Sequence, residues 1–261
     1  MNMAVAKAAP PLVLCLGLPG SASTWVYNIC IHLSGLRPPH QVSMGFCDDL
    51  ADLLSKIGDV DPASNALVIK SHCADAGMCD FMTANLARPV LSIRDPRDCI
   101  VSKMERFDES FEDALARVRA SCDAVLRLWR PGVPLLRYED GFFHSPQVLA
   151  ALQNYLAPGQ RVDLAALGRA YSQEAIMQFI GGLDQIDPGR LATYGDDAVD
   201  VVTHWHRNHF GDGLCNKWRT RLTAEQKALA NDLLAPALAA FGYVDQAPDR
   251  SLGGKSFVIS A

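Results

Sequence analysis

Three short stretches of this chain place charged or hydroxyl side chains where they could work on an anion. The first is Arg94-Asp95-Pro96-Arg97-Asp98-Cys99-Ile100-Val101-Ser102, directly after the apolar run Pro89-Val90-Leu91-Ser92-Ile93. Asp95 can cap a helix whose first position is Pro96. An arginine at a strand's carboxyl end, beside a helix start, can hold a phosphate with its fork of donors. Ser102 can add a hydroxyl to the same anion. A structural Arg/Asp pair network at a strand-to-helix turn is the alternative for these residues. The second stretch, Leu67-Val68-Ile69-Lys70-Ser71-His72, is strand-like and delivers an ammonium and an imidazole at its end. In extended chain, residues two apart project to one face. A neutral histidine there can take a proton from an attacking hydroxyl, and the lysine can stabilise negative charge on the transferring group. The third, Gly17-Leu18-Pro19-Gly20-Ser21-Ala22-Ser23-Thr24-Trp25, joins an apolar run to a helical segment. Its small residues let backbone N–H groups approach an oxyanion, though an ordinary glycine turn fits the same residues.

The elements that must position these groups follow from the patterning. Short apolar runs at Leu12–Leu18, Ala66–Ile69, Val90–Ile93 and Val133–Arg137 alternate with helix-like segments. Helices are expected at Ser23–Leu33, Asp48–Ile57, Ser110–Trp129, Ser145–Leu156, Leu164–Ile180 and Thr223–Phe241. Such alternation predicts an α/β domain with a central parallel sheet covered by helices. Phe111, Leu115, Val118, Cys122, Val125 and Leu126 recur at helical spacing. Thr223 with Gln226 forms a capping-box pattern. Gly181–Val202 lacks periodicity and reads as a loop or mobile lid. The expected organisation is an extension over 1–10, a single domain over 11–244 and a tail over 245–261.

Composition narrows the function classes. Of 261 residues, 49% are apolar and 20% charged, as in a folded globular chain. A net charge of −5 argues against a broad nucleic-acid surface, so any anion site must be local. The eight cysteines show no zinc spacing and fit reduced thiols in a cytoplasmic protein. Lys7, the run Pro11–Leu18 and Ser21-Ala22-Ser23 imitate an export signal. Gly17 and Pro19 interrupt that run, and it reads instead as the first core strand. No stretch is apolar enough, for long enough, to span a bilayer.

The three blocks resemble the cofactor-binding segments of sulfotransferases that use 3′-phosphoadenosine 5′-phosphosulfate (PAPS). The Arg94–Ser102 block resembles the family's grip on the 3′-phosphate. Lys70-Ser71-His72 is similar to its Lys-Thr-His segment, which implies His72 as general base. Pro19, Ser21, Thr24 and Trp25 fall on the family's Pro-Lys-Ser-Gly-Thr-Thr-Trp loop, with Ser23 a conservative replacement. Gly20 stands where that loop has its lysine, and Ala22 where it has glycine. The missing charge makes Lys70 the candidate cation at the sulfuryl group. The resemblance implies that Trp25 stacks on the adenine and that Tyr138, in Arg137-Tyr138-Glu139-Asp140, approaches it. Trp25 as a core aromatic and Tyr138 as a packed strand-end ring stay open. The late segment His209–Arg219 looks like the family's loop over the 3′-phosphate, without its Arg-Lys-Gly triplet. Lys217, Trp218 and Arg219 are its cofactor-contact candidates.

The implied fold is the P-loop-like sulfotransferase fold, with PAPS along the carboxyl edge of the sheet. The implied activity is sulfuryl transfer to a hydroxyl or amine of a small acceptor, with no metal, membrane or nucleic acid. A PAPS-binding module with little catalysis is one alternative, motivated by Gly20 and Ala22. A P-loop-like kinase is another, disfavoured because no Walker A lysine is present. His204, His206 and His209 invite a metal, yet their spacing fits no zinc pattern. Phe81, Met82, Met104, Phe107, Phe142, Phe143 and Phe179 are candidates for an apolar acceptor cleft. A homodimer is left open.

Overall fold

A computed structural model describes residues 12–34, 42–58, 67–194 and 197–243. The expected extension 1–10 and tail 245–261 lie outside them. The chain builds a parallel sheet from β1 (Leu12–Gly17), β2 (Val42–Phe46), β3 (Leu67–Ser71), β4 (Arg88–Ile93) and β5 (Leu135–Arg137), in the order β2-β3-β1-β4-β5. The central strands read as unbroken apolar runs because both their faces are buried. Leu12, Leu14 and Leu16 of β1 enter one core, while Val13 and Cys15 enter the other. After β3 the chain crosses to β4 on the far side of β1, and at such a reversal the strand-end loops part and leave a crevice.

The helices are α1 (Ser23–Leu33), α2 (Leu50–Gly58), α3 (Ala76–Ala84), α4 (Pro96–Phe107), α5 (Phe111–Leu128), α6 (Pro146–Leu156), α7 (Leu164–Ala170), α8 (Gln173–Gly181), α9 (Trp218–Arg221), α10 (Ala224–Leu233) and α11 (Ala235–Ala240). One face of the sheet is covered by α1 and α6 to α8, the other by α3 to α5 with α9 to α11. The capping signals hold in detail. Asp95 accepts from the Arg97 N–H ahead of α4, and both halves of the Thr223/Gln226 box form ahead of α10. All eight cysteines are unpaired. Among the described residues no helix is long and apolar enough to cross a membrane.

Three expectations change. The helix read across Leu164–Ile180 is two helices, because Ser172 bonds the Ala175 N–H at 3.2 Å and starts α8 afresh. The helix read to Phe241 breaks at Leu234, ahead of Pro236, which has no N–H to give and crowds the preceding turn. Gly181–Val202, read as a loop, carries two short 3-10 turns and an antiparallel hairpin, β6 (Leu191–Tyr194) with β7 (Asp197–Asp200). A fully buried carboxylate, Asp200, anchors it, accepting from Arg190 at 2.8 and 3.1 Å and from the backbone of Val202 and Thr203.

Candidate active site

The loop after β1 is set by close approaches. A Cβ at Gly17 would collide with Ser92 Oγ of β4 and lie 2.7 Å from Ser23 Cβ, so no larger residue fits. Ser21 is fully buried; its hydroxyl meets Ser92 Oγ at 2.9 Å and donates to Leu18 O at 2.7 Å. Gly20 and Ala22 then turn left-handed, with φ +74° and +59°. For Ala22 that conformation costs about 1 kcal/mol. It also leaves α1 without a side chain capping its first N–H groups, which are free to receive an anion.

Arg94, from the end of β4, reaches this loop. Its Nη1 donates to Gly20 O at 3.3 Å and its Nη2 to Leu214 O at 2.6 Å, while its buried Nε has no partner. A Cβ at Gly20 would stand 3.0 Å from Ser102 Oγ and 3.6 Å from Arg94 Nη1, so loop, hydroxyl and guanidinium meet at one point. The Tyr138 ring lies 4.6 Å beneath the guanidinium. Positive φ and tight quarters explain why glycine occupies position 20: a lysine there would be strained and would press on Ser102.

The network alternative for this block is also realised, but by its neighbours. Asp95 pairs with Arg97 at 2.8 Å, and Arg97 donates to Tyr243 O and stacks 3.7 Å over Trp218. Asp98 lies 3.8 Å from Arg94 and accepts from the N–H groups of Asn216, at 2.6 Å, and Trp218, at 3.0 Å. The late loop is thereby hung on α4. It touches Arg94 through the Leu214 carbonyl rather than through the side chains singled out from the sequence. Lys217 pairs with Glu105 and Asp212, Trp218 is buried, and Arg219 stacks on Trp218. Trp25 is buried too, its indole N–H donating to Tyr171 O at 3.1 Å and its ring 5.6 Å from Phe142.

His72 stands on the other side of the same loop. Its Nδ1 lies 2.6 Å from Gly17 O. A carbonyl only accepts, so the proton sits on Nδ1 and the Nε2 lone pair is free. Burial, then the charge of Lys70, hold the imidazole down to about 3, so it is neutral in the physiological range. Lys70 is 7% exposed, 5.4 Å from the Phe46 ring, and has no hydrogen-bond or ion-pair partner among the described residues. Burial lowers its ammonium to about 8.

Asp48, just beyond β2, is the residue that sequence reasoning missed. It accepts from Ser71 Oγ at 2.7 Å, from the N–H groups of His72 and Cys73 at 3.0 and 3.1 Å, and from Cys73 Sγ. Burial pushes its carboxyl up, but these bonds outweigh it and hold the group below the ordinary range. Its only sequence signal is an acid at the end of a strand too short to notice.

His206 and His209 are neighbours, but among the described residues the three histidines belong to no group tight enough to hold an ion, and the acceptor candidates are dispersed. The only His/Cys/Asp/Glu group tight enough to hold an ion, among the described residues, is Asp98, Glu139 and Cys215. Its carboxylates already accept from Asn216, Trp218, Asp95 and Tyr243. Phe81, Met82 and Met104 belong to one core, Phe142, Phe143 and Phe179 to the other. Of that set Phe107 alone stands beside the histidines, 6.3 Å from His206.

No protein-family model matches this chain, and no curated protein sequence does either. Solved structures do. Mouse sulfotransferase SULT7A1, crystallised with PAP, superposes with a TM-score of 0.59 at 15% identity over 89% of this chain and 86% of its own. The chain has the sulfotransferase fold. Retinol dehydratase bound to retinol and PAP matches at TM-score 0.58 and 16% identity, over 89% of this chain and 82% of that one. Its complex with androsterone and PAP matches at 0.53 and 15%, with the same coverage.

Proposed function

We propose that this chain is a PAPS-dependent sulfotransferase acting on a hydroxyl of a small acceptor. The observation that carries the reading is convergence: Arg94 and Ser102 meet the β1 loop at Gly20, and His72 is bonded to the same loop at Gly17. The residues fit an adenylate with charge at two ends. Arg94 with Ser102 would take the 3′-phosphate. The uncapped N–H groups of α1 and the unpartnered Lys70 would take the phosphosulfate, which supplies the activated sulfuryl group when bound.

Each residue's task follows from its atoms. His72 Nε2 receives the acceptor's hydroxyl proton as that oxygen bonds to sulfur. Lys70 neutralises charge on the sulfuryl oxygens and on the phosphate oxygen released as the S–O bond breaks. Asp48 holds the main chain of His72, and Gly17 O holds the ring, so the lone pair is fixed before a ligand arrives. In this reading Tyr138, beneath the Arg94 guanidinium, would meet the adenine end, with the buried Trp25 as its second aromatic. The left-handed Gly20, with no cation on the loop, favours one other reading, a PAPS-binding module that does not transfer sulfate.

Calorimetry with adenosine 3′,5′-bisphosphate (PAP) tests the cofactor class. Micromolar binding that weakens about 100-fold in Arg94→Ala is expected from loss of a buried charge-assisted contact. No heat with the native chain overturns the assignment. Binding without sulfate transfer to any of a broad hydroxyl panel moves the chain to the binding-module reading.

A further inference from the structure

Beyond His72, the rim of the crevice is built from cations and imidazoles. The segment after β7 crosses the strand ends. Thr203 O accepts from Asn28 of α1 at 2.8 Å, and His204 packs 5.1 Å from Tyr27 and against Gly45 of β2. His206 and His209 follow with ring centres 4.7 Å apart. His206 Nδ1 donates to Asp197 at 2.7 Å, while the buried Nδ1 of His209 has no partner. From the opposite wall Arg106 of α4 donates Nε and Nη2 to Asn208 O at 3.0 and 2.5 Å. Arg106 follows Ser102 by one helical turn, about 6 Å further along the same face. The Phe107 ring carries Lys103 at 4.2 Å and Arg106 at 5.0 Å.

The guanidinium on this wall is not bonded to any acid. Lys103 pairs with Glu109, while burial keeps His206 neutral as it donates to Asp197, whose charge also acts on Arg106 without a direct contact. Among the described residues Arg106 has no carboxylate within ion-pair distance, and its bonds to Asn208 O use Nε and Nη2, leaving Nη1 without one. Burial, followed by the charge of Arg94, brings its guanidinium down to about 10. Partly desolvated cations without partners are destabilising, and an incoming oxyanion relieves them.

We propose that the acceptor is an oxyanion-bearing alcohol or phenol, its charge held by Arg106 and its polar body met by His206 and His209. This rests on the sulfotransferase reading and adds the acceptor's class to it. It adds a charge-binding wall to a crevice whose aromatic edges are Phe107 beside His206 and Phe46 beside His72.

The test uses three phenols of similar shape and different charge: 4-hydroxyphenylacetate, tyrosol and tyramine. Each is titrated by calorimetry into the full chain saturated with PAP. The anion should bind at least about tenfold more tightly than tyrosol, the factor expected of one charge-assisted hydrogen bond, with tyramine weakest. Arg106→Gln should remove that preference while PAP affinity stays within about twofold, and Arg106→Lys should restore part of it. A clamp that only holds Asn208 would alter melting without altering the ratio between anion and neutral phenol. Equal or undetectable binding of the three phenols beside normal PAP binding overturns this inference alone. A ratio unchanged in Arg106→Gln overturns it too. Failure of PAP itself to bind removes the underlying reading and this inference with it.

Discussion

The two anion-facing corners of this sheet edge are built on opposite principles. Around residues 94–98 nearly every polar group has a protein partner: Asp95 with Arg97, Asp98 with two backbone N–H groups, Arg94 with two carbonyls. Around residues 70–72 the side chain with most charge to satisfy, Lys70, has no hydrogen-bond or ion-pair partner among the described residues. Its neighbour His72 is anchored at one nitrogen and open at the other. The first corner is a scaffold whose geometry survives without ligand. The other holds a buried cation without a hydrogen-bond or ion-pair partner among the described residues, and under the proposed function it is the corner that would stabilise charge during transfer. Rigid placement and chemical readiness are thus assigned to different strands, β4 and β3.

The largest effect is expected at the open nitrogen. His72→Asn should lower sulfate transfer by about 10²- to 10⁴-fold in steady-state assays. PAP affinity by calorimetry should change little; a matching loss of PAP binding would mean that the two corners are not separable. Lys70→Met sharpens the contrast further. Transfer should fall by about 10²-fold, whereas urea unfolding at pH 7 should show about 3 kcal/mol of added stability. The sign follows from linkage. A lysine whose folded pKa lies near 8, below its unfolded value, penalises folding fully below pH 8, and the penalty fades as pH rises toward 10.5. For the same reason kcat/KM should decline as pH rises through about 8, where the free protein loses that cation.

Acid should expose a smaller difference. His72 and His204 are held neutral by burial, down to about 3 and about 4. Their contribution to stability is complete above the unfolded value near 6.5 and is lost as pH falls toward those folded values. Each removes about 1.4 kcal/mol per pH unit across that window. Urea unfolding at pH 7 and pH 4.5 measures the slope, and His72→Asn should flatten it; an unchanged slope would place the acid sensitivity elsewhere. The smallest effect lies in the loop between the corners. Ala22→Gly relieves a φ of +59° and should add about 0.5–1 kcal/mol, with melting as the measure.

Much of this was legible in the residues, and the exceptions have physical reasons. Strands β1, β3 and β4 announce themselves because burial on both faces leaves few polar positions, with Lys70 and Ser71 closing β3 and Arg88 and Ser92 in β4. Strand β2 does not, since Val-Ser-Met-Gly-Phe is short and its register shifts around Gly45. Hairpin β6–β7 hides because its strands are only half buried and owe their shape to one carboxylate, Asp200. Arg94, Ser102, Lys70 and His72 could be singled out because each follows a recognisable strand. Asp48 and Arg106 could not. Asp48 reaches His72 from an unrecognised strand, and Arg106 resembles any charged residue on a helix until the distant Asn208 meets it. Lys217 misled for the converse reason: nearby Glu105 and Asp212 claim its charge, and sequence spacing does not show that.

The bond from Arg94 to the Leu214 carbonyl has a consequence for how any affinity at this edge should be understood. Under the proposed function, a phosphate reaching that guanidinium finds Nε open, but to use Nη2 it must displace a main-chain oxygen already seated at 2.6 Å. Association through Nη2 is then an exchange of acceptors, and that part of its heat reports the difference between two hydrogen bonds. If that carbonyl is displaced, the chain just beyond Leu214 stays tied to Asp98 through the N–H groups of Asn216 and Trp218, so under the proposed function nucleotide arrival and a shift of Leu214 would be coupled.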